Sequence, residues 1–114
     1  MEKYLSIHLT TPDSRNLISA EGIIAISMNS TSTVKIWYKD GKTITIELSA
    51  AMASNDDSIP YYLFNQIAKL QEGTISNSEM ASTTNVLEIP TPLPNDKIWD
   101  ATGNYITLTA ITIA

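Results

Sequence analysis

The feature that most constrains the fold is a pair of alternating segments joined by an Asp-Gly dipeptide, within residues 33–48. The sequence there reads TVKIWYKDGKTITIEL, and apolar and polar residues alternate on both sides of Asp40-Gly41. A two-residue period is typical of β-strands with one buried face, and Asp-Gly between two such strands indicates a hairpin. The segment therefore predicts two antiparallel strands that are adjacent in a sheet.

The loop length of this hairpin follows from its apolar pattern. A two-residue loop would place apolar residues of one strand opposite polar residues of the other. A three-residue loop at 39–41 places Ile36 opposite Ile44 and keeps the apolar residues on one face, which burial requires. The sequence thus predicts a type I turn with Gly41 in a left-handed conformation at a G1 bulge.

The rest of the chain predicts more short strands and one helix. Segments with strand-like alternation or short apolar runs lie at residues 4–10, 17–18, 23–28, 85–89 and 105–114. The last of these changes its apolar register near Thr109-Ala110, so the sequence predicts either a bulge there or a strand end covered on both faces.

One amphipathic helix is predicted in the segment IPYYLFNQIAKLQEG. Its apolar stripe consists of Ile59, Leu63, Ile67 and Leu70, with Phe64 beside it. Residue 57 or 58 is expected to cap the helix, and Pro60 fits its first turn, where a missing N–H has no cost.

Together these elements predict a single domain over residues 1–114 of the α+β class, mainly β. We expect an antiparallel sheet of six or seven short strands with the amphipathic helix packed on it, and closure into a small barrel is an open alternative. A chain of 114 residues is long enough to bury an ordinary apolar core.

Composition excludes several classes of partner. The net charge is −5, and the six Lys and one Arg are scattered along the chain. Binding to a nucleic-acid backbone or to an anionic membrane needs clustered cations, so neither partner is expected. The sequence has no signal peptide and no apolar run of ~20 residues, which predicts a protein made in the cytoplasm without a membrane anchor.

Residues for enzyme chemistry are scarce, so no catalytic site, metal site or cofactor is predicted. There is no cysteine, and His8 is the only histidine. Zinc-type coordination and nucleophilic catalysis both lack the residues that they need. Asp56-Asp57 is interpreted as part of the helix start, and the Asp100–Asn104 segment lacks the spacing of a calcium loop.

Two features point instead to contacts with other protein chains. Trp37 is predicted to lie with Lys35 on the hairpin face opposite the core, where it either is covered by this chain or contacts another subunit. The C-terminal strand, with Ile111 and Ile113, either lies inside the sheet or forms an unguarded edge that pairs with a neighbouring chain. These four residues are the candidate interface.

The layout of the chain resembles short structural (virion) proteins of tailed phages of aquatic bacteria. The segments that carry the resemblance are the opening KYLSI, the run LISAEGIIAI, the Thr-rich hairpin TSTVKIWY, the single helix and the ending ITLTAITIA. The resemblance implies a virion component, such as a capsid decoration or cement subunit, with other shell chains as partners and an oligomeric or shell-bound state. It carries over no functional residues.

The expected function is therefore structural, through protein–protein contacts that stabilise a shell. A small intracellular adaptor or regulatory module, which binds a partner at a sheet edge, is the alternative.

Overall fold

The computed structural model describes residues 3–10, 13–72, 86–90, 93 and 98–114. These residues form seven strands and one helix, in the order β1 (Tyr4–Thr10), β2 (Asp13–Ser19), β3 (Ile23–Ser30), β4 (Thr33–Tyr38), β5 (Thr43–Leu48), α1 (Ser58–Glu72), β6 (Val86–Ile89) and β7 (Leu108–Ile113).

All seven strands belong to one mixed sheet, which confirms the mainly β, α+β class. The order is β2-β1-β7-β5-β4-β3, and β6 pairs with β1. Pairing is antiparallel except where β1 meets β6 and β7, which both run parallel to it. The sheet does not close into a barrel, so β2 and β3 lie at its two ends.

The β4–β5 hairpin has the predicted register. Ile36 pairs with Ile44 and Val34 pairs with Ile46, and all four side chains are buried. The turn closes through Gly41 N–H, which donates to Tyr38 O at 3.0 Å, and Gly41 has a φ of 89°. The three-residue loop is therefore confirmed.

A bulge at Thr109 explains the register change in the last strand. Glu47 pairs with Ala110 while Leu48 pairs with Leu108, so Thr109 is the extra residue. The bulge returns Ile111 to the core side of the sheet, and the first of the two predicted explanations is confirmed.

The helix covers the apolar face of the sheet and contributes the predicted stripe to the core. Ile59, Leu63 and Leu70 are almost fully buried, and Ile67 is half-buried against the same cluster. The remaining buried apolar side chains come mostly from the strands: Leu5, Ile7, Leu9, Ile18, Val34, Ile36, Ile44, Ile46, Leu48, Leu87, Ile89 and Leu108.

Two hydrogen bonds show the direction of α1 relative to β3. Near the end of the helix, Gln71 Nε2 donates to Ala20 O at 2.9 Å, just before β3. Ahead of the helix, Met52 N–H donates to Thr31 O at 2.7 Å, just after β3. Since α1 also contacts β3 directly, the two elements lie side by side and antiparallel.

Asp57 is the N-cap residue of α1 by its backbone, as expected, but the side chain that accepts hydrogen bonds at the helix start is that of Asp56. The carboxylate of Asp56 accepts hydrogen bonds from Ser58 N–H at 3.0 Å and from Ser58 Oγ at 2.6 Å. Asp57 contributes its backbone oxygen, which accepts the Tyr61 N–H. The side-chain part of the capping that the sequence assigned to Asp57 or Ser58 therefore comes from an Asx turn one residue earlier.

Replacing Gly41 by valine should destabilise the protein by about 1–3 kcal/mol, because a β-branched residue is strained at positive φ. A Cβ at this position would meet nothing within 4 Å, so the cost would come from the backbone alone. Chemical denaturation measures it. Gly41→Asn is the control and should cost less, since asparagine tolerates this conformation; equal losses would contradict the explanation.

Ionisation of the Tyr38 hydroxyl should lower the free energy of unfolding above pH 10. This hydroxyl donates to Ser19 O at 2.6 Å, and burial, with a smaller contribution from Asp40, raises the pKa of Tyr38 to about 12. A raised pKa means that the folded state keeps a proton that the unfolded state loses, so stability is full below pH 10 and declines towards about pH 12.

Tyr38→Phe should therefore cost about 1 kcal/mol at neutral pH and make that alkaline decline shallower. Denaturation curves between pH 8 and 12 would measure both effects. The exposed Tyr105→Phe serves as the control, and an identical change of profile in the two variants would rule out the role of Tyr38.

Candidate functional site

A concave surface among the described residues is a groove between β3 and α1. We call it the β3–α1 groove, and its cavity volume is about 1020 Å³. The loop at residues 53–57 closes one end. Its apolar lining consists chiefly of Ile24, Ile26, Met28, Tyr61, Phe64 and Ile67.

Large apolar side chains in this groove are open to solvent. Ile24 is 62% exposed, Tyr61 63% and Phe64 60%. Single exposed apolar residues are ordinary on protein surfaces, but three that line one groove form a patch of the kind that marks interaction sites.

The helix supplies its side of the groove from residues that share Ile67 with the core stripe and extend beyond it to Phe64. Pro60, Phe64, Ile67 and Gln71 all line the groove. They recur at intervals of four, three and four residues, which places them on one face of a helix. The apolar surface of α1 is therefore wider than its contact with the sheet, and the excess faces the groove.

The backbone of β4 shows which of its groups bond to β3. Tyr38 N–H donates towards β5, to Lys42 O at 3.0 Å, whereas Lys39 N–H donates towards the β3 side, to Gly22 O at 2.8 Å. Backbone groups alternate in direction along a strand, so the odd-numbered residues of β4 bond to β3.

The same alternation identifies the free backbone groups of β3. Ala25 and Ser27 pair with odd-numbered residues of β4, so their N–H and C=O groups point towards β4. Ile26 and Met28 therefore direct their N–H and C=O groups to the opposite edge, where β3 pairs with no other strand among the described residues. This edge borders the groove.

The charged residues that line the groove are acidic, and a cation outside the lining, Lys3, donates from Nζ to Gln71 O at 3.1 Å. Glu21, Asp56 and Asp57 line the groove, and the described lining residues include no lysine, arginine or histidine. Glu21 lies at the start of β3, whereas Asp56 and Asp57 lie at the start of α1. Because the two elements are antiparallel, the carboxylates sit at opposite ends of the groove.

Of the predicted interface residues, Trp37 and Lys35 lie on the face of the sheet opposite the core. Lys35 pairs with Thr45, and Trp37 pairs with Thr43. Both are half-buried, and the Lys35 ammonium lies 5.5 Å from the centroid of the Trp37 ring, in a cation–π contact.

Ile111 and Ile113 lie on the core face instead. They pair with the buried Ile46 and Ile44. Ile111 is half-buried against the core, whereas Ile113, at the end of the sheet, is 67% exposed. The four candidates therefore occupy two faces and do not form one patch.

The last strand is covered unequally on its two flanks. β7 pairs with β5 from Leu108 to Ile113, but with β1 only at Leu108. Its remaining residues have no strand on the β1 side within the ranges described. The strand is thus neither fully internal nor a simple edge.

The residues considered for chemistry lie apart from one another. His8 is half-buried on β1, opposite Arg15, and Asp56 belongs to the helix cap. Over the described ranges, no three His, Cys, Asp or Glu side chains are grouped as metal ligands.

None of the helices in those ranges is long and apolar enough to cross a bilayer.

A short turn presents two further aromatic residues. Trp99 is 47% exposed and Tyr105 is 60% exposed, on either side of residues 100–104. The Asp100 carboxylate accepts hydrogen bonds from Asn104 N–H at 2.9 Å and from Thr102 Oγ1 at 2.7 Å and N–H at 2.8 Å. These bonds, chiefly the one from Asn104, lower the pKa of Asp100.

The groove is a candidate surface that sequence reasoning missed. Two signals pointed to it. Phe64 and Tyr61 extend the apolar face of the helix beyond one stripe, and the run Ile23 to Ile26 is apolar on both faces of its strand. Neither signal shows that the two surfaces adjoin, because residues 23–28 and 60–71 are distant in sequence.

Asp100→Asn should loosen this turn, because an amide is a weaker acceptor for three donors than a carboxylate. The Asn104 amide should exchange faster with solvent, as NMR would show. In the parent protein, the lowered pKa means that the turn keeps its bonds above the ordinary aspartate pKa and loses them only as pH falls through the lower value. Unchanged exchange in the variant would contradict this account.

Comparison with protein families, with curated protein sequences and with solved structures found no match for this chain.

Proposed function

We propose that this chain is a non-enzymatic structural subunit that acts through contacts with other protein chains, as a decoration or cement protein on the shell of a tailed phage. The observation that carries the proposal is the exposure of Ile24, Tyr61 and Phe64 in the β3–α1 groove. Apolar surface gathered in this way favours association, because contact with a partner removes it from water.

The contribution of such a contact is substantial. Complete burial of a side chain of the size of Ile or Phe contributes about 1.5–3 kcal/mol. Three such side chains, each about 60% exposed, offset part of the cost of immobilising the subunit. The exposed Trp99 and Tyr105 add a second aromatic surface of the kind found at interfaces.

The assignment to a phage shell is supported by the layout of the chain. The alternating hairpin, the single helix and the Thr-rich last strand are the segments that resemble virion proteins of tailed phages. The face of the sheet that carries Trp37 also carries Thr43 and Thr45, which pair with Trp37 and Lys35.

Mass spectrometry of purified particles tests this proposal directly. We expect the chain in many copies per particle in phage produced from a genome that encodes it. Particles that lack it should have lower thermal and osmotic resistance. Its absence from particles, or equal resistance with and without it, would contradict the proposed role.

A second candidate function, a small adaptor that binds one partner, is favoured by the free edge of β3. An adaptor should be monomeric by itself and form a stoichiometric complex with a soluble partner. Light scattering coupled to size-exclusion chromatography distinguishes this outcome from many copies on a particle.

A further inference from the structure

We propose that the β3–α1 groove binds an extended segment of a partner protein, which adds to β3 as a further strand and carries Lys or Arg at its ends. This inference deepens the proposed function, since it names the contact surface and the chemistry of the partner segment. It rests on three independent properties of the groove: its backbone, its apolar lining and its charge.

The backbone of β3 provides a template for one more strand. Ile26 and Met28 direct their N–H and C=O groups to the edge that borders the groove. This direction follows from the alternation of backbone hydrogen bonds along β4, whose odd-numbered residues bond to β3. Free groups of this kind hydrogen-bond an extended peptide regardless of its sequence, and they supply much of the affinity in strand addition.

The apolar lining selects for side chains on one face of that strand. In an extended segment every second side chain points to the same side. On that side the added strand would meet Phe64, Tyr61 and Ile67 of α1. The occupant is therefore a segment with apolar residues at alternate positions, and its other positions remain free to be polar.

The dimensions of the groove suit such a segment. The eight residues of β3 span ~26 Å at about 3.3 Å per residue. The fifteen residues of α1, alongside, span ~22 Å at about 1.5 Å per residue. A strand of roughly six to eight residues fills this length.

The acidic residues at the two ends of the groove indicate which residues should flank the bound partner segment. Glu21 lies at one end and Asp56 with Asp57 at the other, with no cation among the described lining residues. Basic residues at the ends of the partner segment complement these carboxylates, which favours encounter and selects against acidic segments.

The same charges argue against a second copy of this chain as the occupant. Antiparallel pairing of two β3 edges would bring Glu21 of one copy near Asp56 and Asp57 of the other. Like charges in this arrangement oppose association. A basic segment of a different protein is therefore the better fit.

A designed peptide tests the proposal. The probe is Lys-Lys-Val-Thr-Val-Thr-Val-Thr-Lys-Lys, titrated against the full chain by isothermal calorimetry at about 50 mM salt. We expect saturable one-to-one binding that weakens as salt increases. The same peptide with Glu in place of Lys should not bind. A peptide in which the backbone amides that would hydrogen-bond to β3, at every second residue, are methylated should not bind either.

Matched variants identify the site. Phe64→Ala should weaken binding about tenfold, as truncation of a central aromatic contact does. Leu17→Ala is its control, because the two side chains are similarly exposed, at 61% and 60%, but only Phe64 lines the groove. The double variant Glu21→Gln with Asp57→Asn should weaken binding about threefold at low salt, as loss of rim ion pairs does. Asp56 is kept because it caps the helix.

Hydrogen exchange provides a readout of the backbone contact. In the free protein the amides of Ile26 and Met28 should exchange quickly and those of Ala25 and Ser27 slowly. Peptide binding should protect Ile26 and Met28. Protection of these two amides in the free monomer, or a concentration-dependent dimer that protects them, would overturn the proposal, because the edge would already be occupied.

The outcomes separate this inference from the proposed function. If the peptide does not bind, or binds equally to Phe64→Ala, the groove assignment fails even where the chain is found on particles. If the peptide binds as expected but particles lack the chain, the groove assignment stands and the shell assignment fails.

Discussion

The structure depends on burial of one face of a mixed sheet against helix α1. Ile36 and Ile46 of the central hairpin and Leu63 of α1 are almost fully buried, and every strand of the sheet is oriented by this shared core. Because the side-chain period of a strand is two, a shift of one residue in any pairing would expose the apolar set to water. The core therefore fixes the registers, and the registers in turn fix which backbone groups remain free.

The groove lies where the apolar surface of α1 extends beyond its contact with the core. α1 contacts β3, at one end of the sheet, and β6, which pairs with β1 near the other end. The groove-facing side of α1, which includes Phe64, lies beside the unpaired edge of β3. An edge left open beside an apolar surface is a liability for a monomer, since it can pair with other chains. In this protein the acidic residues at both ends of the groove limit which chains can do so.

Bulges adjust the sheet where a regular pairing would conflict with the core. Thr109 lets Leu108 and Ile111 face the core on one strand, although their spacing is odd. In β3 the pairing shifts between Ile23 and Ala25, so Ile24 is an extra residue and is 62% exposed at the groove. The first bulge was visible as a break in apolar alternation. The second was hidden, because a run of apolar residues has no alternation to interrupt.

The sequence by itself determined the hairpin register and its turn at Gly41, the helix with its core stripe and the mainly β class, and it limited the last strand to a bulge or an end covered on both faces. These features depend on residues close together in the chain, where period and turn chemistry act directly. Tertiary structure decided which strands are neighbours, that Trp37 and Ile113 lie on opposite faces, and that β3 and α1 adjoin as a groove. Those outcomes depend on pairings between distant segments, which are selected by the packing of the whole core rather than by any local pattern.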